Sequence, residues 1–252
     1  GVISRVHFEE GADVSSGDLL VSLDRRPFEN SLRFRTERTV EQLGVLFGDG
    51  LYPTFQQKTA RNIRRTPLHE TWERKGARFA CSHGWEYPEW FSPSGVVPPV
   101  PSTWGRGEWT TWVAEEHRAV REAVGVIDMT LMSKFLVQGP SAAAVLDRLS
   151  AGNVAGDVGR VVYTQWLNDA GGIMADLTVT RLAEDEFLVV VSDITHRRVE
   201  RMIRAEVREG EFASVADMTS AYTLLTVQGP RSRELLSRVS SNDLSDSAFP
   251  YL

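Results

Sequence analysis

Two segments of the chain share one design. Phe135-Leu136-Val137-Gln138-Gly139-Pro140, followed by the helix-compatible stretch 144–150, matches Leu225-Thr226-Val227-Gln228-Gly229-Pro230, followed by 234–240. Val137 and Val227 are 90 positions apart, and each copy exits toward an asparagine, Asn153 or Asn242. Each reads as strand, Gly-Pro, then amphipathic helix. Proline suits a first helical turn, where its missing N–H would be unpaired anyway. A repeat of this length is a duplicated subdomain, not a solenoid unit. Two βαβ-type halves packed together predict an α+β architecture.

Between the copies, residues 161–191 read as a three-stranded antiparallel meander. The stretch 161–167 is β-branched and aromatic, and Asn168-Asp169-Ala170-Gly171-Gly172 is turn chemistry. Ile173, Ala175, Leu177 and Val179 then alternate with Met174, Asp176, Thr178 and Thr180. The apolar run 187–191 reads as a strand buried on both faces. Asp176 sits mid-strand, an unusual place for a solubilising charge. A four-residue loop, 168–171, places Tyr163 opposite Asp176 on one face. A loop longer by one separates them to opposite faces.

Composition excludes several classes. With 42% hydrophobic and 25% charged residues, the chain has an ordinary globular make-up. A net charge of −6 gives no basic field for nucleic acid. One cysteine, Cys81, excludes an intrachain disulfide, and the five scattered histidines show no metal-ligand spacing. No apolar run approaches the ~18–20 residues that span a bilayer. No Gly-x-Gly-x-x-Gly, P-loop or nucleophile motif is present. Opening on Gly1 and stopping after a helix, the chain is expected to be a fragment or a partial gene product.

Elsewhere the pattern predicts helices over 33–46, 108–124 and from about 195 to 208, with Asp193 and Thr195 as caps for the last. The Pro/Gly/Ser-rich stretch 92–106 is expected to be an irregular loop. The aromatic cluster around Trp85 and Trp90 suits plugging one end of a core.

Two resemblances attach to these residues. Tyr163-Thr164-Gln165-Trp166-Leu167-Asn168, followed by Gly171-Gly172-Ile173-Met174-Ala175-Asp176-Leu177-Thr178-Val179, resembles the folate-binding domain of the aminomethyltransferase family, which includes the glycine-cleavage T-protein. The wording is closest to the C-terminal half of sarcosine and dimethylglycine dehydrogenases. That fold carries an internal pseudo-repeat, so the duplication agrees with it. The first 28 residues, with glycine turns at Glu10-Gly11 and Ser16-Gly17-Asp18, instead resemble a lipoyl-like segment of membrane-fusion adaptors. They hold no lysine to carry biotin or lipoate. The implied organisation is a β segment over 1–28, a linker helix within 29–58, and a folate-binding domain over 59–252 that lacks the family's C-terminal barrel.

The resemblance implies a function and a site. The domain would pass a methylene unit from an oxidised amine to tetrahydrofolate, with FAD held by a flavin-binding dehydrogenase domain N-terminal to this chain. The place would be the cytoplasm, or the mitochondrion in a eukaryote. Asp176 is implied as the catalytic carboxylate facing the folate nitrogens, partly desolvated and suited to proton handling. The family's preceding carboxylate is Ala175 here. Tyr163 is implied to flank the pterin. Met132, at the end of Asp128-Met129-Thr130-Leu131-Met132, is implied as a soft contact to its ring, and reads equally as core. Val191 and Asp193 are implied near folate backbone and amide contacts. The alternative is a non-catalytic interaction module that keeps the fold without folate.

Overall fold

The computed structural model describes residues 2–6, 21–24, 32–47, 55–95, 97 and 105–250. The N-terminal resemblance falls largely outside them. Its described parts, β1 (Val2–Val6) and β2 (Val21–Asp24), pair antiparallel with each other. Most of loop 92–106 is likewise outside the described residues. Helix α1 (Leu32–Phe47) follows. Its predicted apolar stripe, Val40, Leu43, Leu46 and Phe47, is exposed. What ties it down is polar: Glu41 accepts from the backbone N–H groups of Lys58 and Thr59.

Next come β3 (Arg64–Arg65), α2 (His69–Arg74), β4 (Ala77–Ser82) and β5 (Trp85–Phe91), whose strands form a three-stranded sheet in the order β3-β5-β4. Trp85 and Trp90 are buried, as the aromatic-plug reading expects. Trp90 packs on Trp112 of α3 (Trp109–Glu122) with ring centroids 5.4 Å apart.

The core lies in a five-stranded antiparallel sheet. Its strands are β7 (Ser133–Gln138), β8 (Val161–Leu167), β9 (Ile173–Ala183), β10 (Glu186–Val191) and β11 (Ser214–Asp217), in the order β11-β7-β10-β9-β8. Helices α4 (Ala142–Leu149) and α5 (His196–Glu206) cover one face only. Phe135, Val137, Trp166, Leu177, Val179, Phe187 and Val189 therefore pack with Val145, Leu146, Val199 and Ile203. This corrects the two-sided burial expected of β10. Phe187, Val189 and Val191 are buried, whereas Leu188 and Val190 are half-buried on the face that the helices leave open.

The duplication is present in three dimensions. After β7, Gly139 has φ +132°; after β12 (Leu225–Gln228), Gly229 has φ +119°. A Cβ on Gly139 would lie 2.6 Å from the Phe212 carbonyl oxygen, and one on Gly229 2.5 Å from that of Ala123. Only glycine fits such a turn. The hydrogen bonds repeat as well. Ser141 N–H donates to Phe212 O and Ala142 N–H to Gly139 O; 90 positions on, Arg231 N–H donates to Ala123 O and Ser232 N–H to Gly229 O. Pro140 precedes the N-cap Ser141, so it sits just outside the first turn where the sequence placed it. The second copy's helix is α6 (Ser232–Leu236), and β12 pairs with β6 (Gly125–Asp128).

Asp193 and Thr195 do not cap α5 with their side chains. The carboxylate of Asp193 instead accepts a 2.6 Å hydrogen bond from Ser82 Oγ and lies 3.1 Å from His83 Nδ1. The helix stops at Glu206, before the expected Arg208.

Candidate functional site

The β8–β9 hairpin supplies the central pair. Its turn is closed by Asn168, whose Oδ1 accepts from the N–H groups of Ala170 and Gly172 while its own N–H donates to Gly172 O. Gly171 takes φ +79°, which its lack of a Cβ allows. The loop therefore runs 168–172 and closes on Leu167 opposite Ile173, one residue longer than expected. Taken alone, that register would put Tyr163 and Asp176 on opposite faces. A bulge at Met174 restores the parity: Trp166 pairs with Ala175, Gln165 with Asp176, and Tyr163 with Thr178. Tyr163 thus reaches Asp176 diagonally, and its hydroxyl donates to Asp176 Oδ2 at 2.8 Å. The two side chains meet through a longer loop and a compensating bulge, not through the four-residue loop.

This pair opens into a cavity of about 380 Å³ on the sheet face that the helices leave bare. Met129, Leu131 and Met132 form one wall, from the loop between β6 and β7. Thr178 and Val190 form its floor, and Ser192 and Asp193 one end. Of the sequence candidates, Asp176, Tyr163, Met132 and Asp193 line this one space. Val191 does not. At 1% exposure its side chain is in the core, because strand parity turns Val190 outward instead. Asp193 is already engaged by Ser82 and His83, two residues that sequence reasoning passed over. Thr178 was also missed, although its period-two spacing from Asp176 puts it on the same face.

Asp176 is exposed, so the protein alone does not give it the desolvation expected of it. A ligand seated there would supply it. The hydrogen bond to Asp176 pushes the Tyr163 phenol above its usual pKa, keeping it a neutral donor. Asp176 retains a second oxygen, Oδ1, to hold a cation or take a proton.

A larger cavity of about 530 Å³ lies among α3, β5 and β6, walled by Trp72, Phe91, Val120 and Ile127. Two of its carboxylates are committed to the fold. Glu116 Oε1 accepts from Phe91 N–H, and Asp128 Oδ2 from Trp72 Nε1, each at 2.8 Å. The smaller cavity presents the carboxylate with chemistry to spare. Among the described residues no cluster of His, Cys, Asp or Glu could hold a metal ion, and no helix is long and apolar enough to cross a membrane.

Residues 68–252 match the family described as the GCVT N-terminal domain. The chain belongs to this aminomethyltransferase family. The family is folate-dependent, and similar proteins include an amine oxidase and a dehydrogenase as well as aminomethyltransferases. The 4-methylaminobutanoate oxidase (formaldehyde-forming) of Paenarthrobacter nicotinovorans is 39% identical over 88% of this chain. The mitochondrial dimethylglycine dehydrogenase of Rattus norvegicus is 34% identical over 80% of it. The chain spans 27% of the first relative and 24% of the second. The crystal structure of the glycine cleavage system aminomethyltransferase T from Bartonella henselae superposes with a TM-score of 0.57. It is 26% identical, and the match covers 69% of this chain and 43% of that one. The α+β, internally duplicated fold is that of the family.

Proposed function

We propose that this chain is the one-carbon transfer part of a larger flavin-dependent oxidoreductase acting on N-methylated amines, and that its 380 Å³ cavity receives tetrahydrofolate. The observation that carries the reading is the Tyr163–Asp176 hydrogen bond, held on the open face of the sheet beside Met132. A volume in this range suits a ligand ring system with few polar anchors. Tetrahydrofolate would bring the nitrogens that accept the carbon. This chain's residues would do the rest. Met129, Leu131 and Met132 offer a soft apolar wall to a flat ring. Tyr163 fixes the orientation of the carboxylate. Asp176 would favour a cationic iminium arriving from the oxidised amine, would take up the proton that a folate nitrogen loses on bonding the carbon, and would pass it to the demethylated amine as that amine leaves. FAD and the amine site belong to a partner domain outside this chain, in the cytoplasm or in a mitochondrion. A fold kept only for interaction would have no use for this oriented pair.

Filling the cavity tests the reading. Thr178 stands directly across the hairpin from Tyr163, on the ligand side of the sheet. In the full-length protein, Thr178→Trp should weaken tetrahydrofolate binding by about tenfold or more, measured by isothermal titration. Circular dichroism should be unchanged. Wild-type affinity in that variant would place the folate elsewhere.

A further inference from the structure

Lys134 is 2% exposed, yet it lies on the cavity side of the sheet, opposite Val190. Its ammonium donates to the carbonyl oxygens of Thr130 and Met132, both at 2.8 Å. These two carbonyls flank Leu131, so the bonds fix the wall that carries Met129, Leu131 and Met132. The loop's other ties lie on its Leu224 side, where Thr130 Oγ1 accepts from Leu224 N–H at 3.2 Å, and in its backbone. Met129 N–H donates to Leu224 O, Thr130 N–H to Asp128 Oδ1, and Met132 N–H back to Met129 O. The strand beneath is anchored independently: Lys134 N–H donates to Thr219 Oγ1, and Met218 N–H to Lys134 O.

We infer that Lys134 is a positioning residue for this cavity, its buried ammonium gripping the 130–132 carbonyls so that the methionine wall stands at the right height for a ligand. The consequence for folate rests on the function proposed above; the grip on the loop does not. A buried ammonium is a poor device for stability, since removing a charge from water costs more than modest pairing returns. It is a good device for shape, because charge-assisted hydrogen bonds are short and directional.

Burial pushes the Lys134 pKa down from 10.5 to about 8, against the pull of Asp217 on β11 and Asp128 on β6. Asp217 is itself 3.4 Å from His196 Nε2 on α5, and β10 offers only Val190 at this position. The sign follows from linkage. Between about 8 and 10.5 the unfolded chain holds more protons at this lysine than the folded one, so its contribution to stability rises with pH across that window. Its grip on the loop weakens over the same window, as charge assistance is lost. Stability and ligand affinity should therefore move in opposite directions, which a purely structural lysine would not produce.

The test compares wild-type full-length protein with Lys134→Met, a substitution of similar length without charge. Tetrahydrofolate affinity should drop by about tenfold, the worth of one charge-assisted hydrogen bond. The thermal midpoint should be unchanged or higher. The wild-type decline in affinity through a pH of about 8 should vanish in the variant. Amide hydrogen exchange at Met129 and Met132 should quicken in the variant, and in the wild type as pH rises beyond what intrinsic exchange predicts. Unchanged exchange at those amides would overturn the inference whether or not folate binds. So would a wild-type affinity that is flat through a pH of about 8. Should Lys134→Met fail to fold, the wild-type pH series decides. Absence of tetrahydrofolate binding in the wild type, with the exchange result intact, would instead overturn the folate reading and leave the loop assignment standing.

Discussion

Replacing Asp176 with asparagine should slow transfer of the carbon unit to tetrahydrofolate by ~10²–10⁴-fold in the full-length protein, the usual worth of a general acid–base group. Asparagine keeps the size of aspartate, and its side-chain oxygen can still accept from Tyr163 as Asp176 does at 2.8 Å. Geometry and binding should therefore be largely spared. Charge and basicity are lost together. Without the negative charge an arriving iminium is less favoured, and without basicity the released proton loses the acceptor beside Tyr163, the cavity's other carboxylate, Asp193, being engaged by Ser82 and His83. Amine oxidation, which under the proposed function takes place at a flavin outside this chain, should proceed at its normal rate. Rapid-mixing single turnovers would follow flavin reduction and methylene-tetrahydrofolate formation side by side. Equal slowing of both would mean that Asp176 supports the whole assembly. Unchanged transfer would reduce it to a packing or binding residue.

The second large effect is on stability. Trp166→Ala should cost ~3–5 kcal/mol, as for large aromatic truncations in well-packed cores. Trp166 is wholly buried, and its Nε1 donates to Ser150 Oγ at 3.0 Å. Truncation leaves a cavity and removes the side-chain bond from β8 to Ser150 at the end of α4. Such a loss is a large share of the ~5–15 kcal/mol that holds a typical domain. Urea unfolding should show a lower midpoint with an unchanged slope. Trp166 is also the last paired residue of β8 before the bulge, opposite Ala175. It anchors the parity that brings Tyr163 and Asp176 to one face. Residual folded variant should bind tetrahydrofolate less well than its folded fraction predicts, because a slipped hairpin exchanges the two faces. A loss under ~1 kcal/mol would mean that the neighbouring helices collapse into the gap.

The duplication and the meander were legible because they depend on local chemistry. Gly139 and Gly229 announce turns that no side chain permits, and the alternation from Ala175 to Val179 states which face is buried. The exact pairing was not legible. Met174 looks like one more alternating residue, and only the closed Asn168 turn forces it out as a bulge. Val191 was named by the resemblance alone, and an all-apolar strand carries no mark of parity that would have pointed to Val190. That mark comes from the helices on one side, which are distant in sequence. Asp193 resembled a helix cap because capping is a local habit of aspartate. Its true partners, Ser82 and His83, are 111 and 110 residues away. Lys134 reads as an ordinary strand lysine, and its burial follows from β10, β11 and the 130–132 carbonyls meeting around it. The apolar stripe of α1 was read correctly as a helix signal, yet periodicity says nothing about whether a face is covered.

The most direct measurement is the position of the pterin in a structure of the full-length protein bound to tetrahydrofolate. The account predicts the ring in the smaller cavity, against Met132, with its carbon-accepting nitrogens toward Asp176 Oδ1 and Tyr163 still bonded to Oδ2. A ring seated instead in the larger cavity, against Trp72 and Phe91, would contradict it.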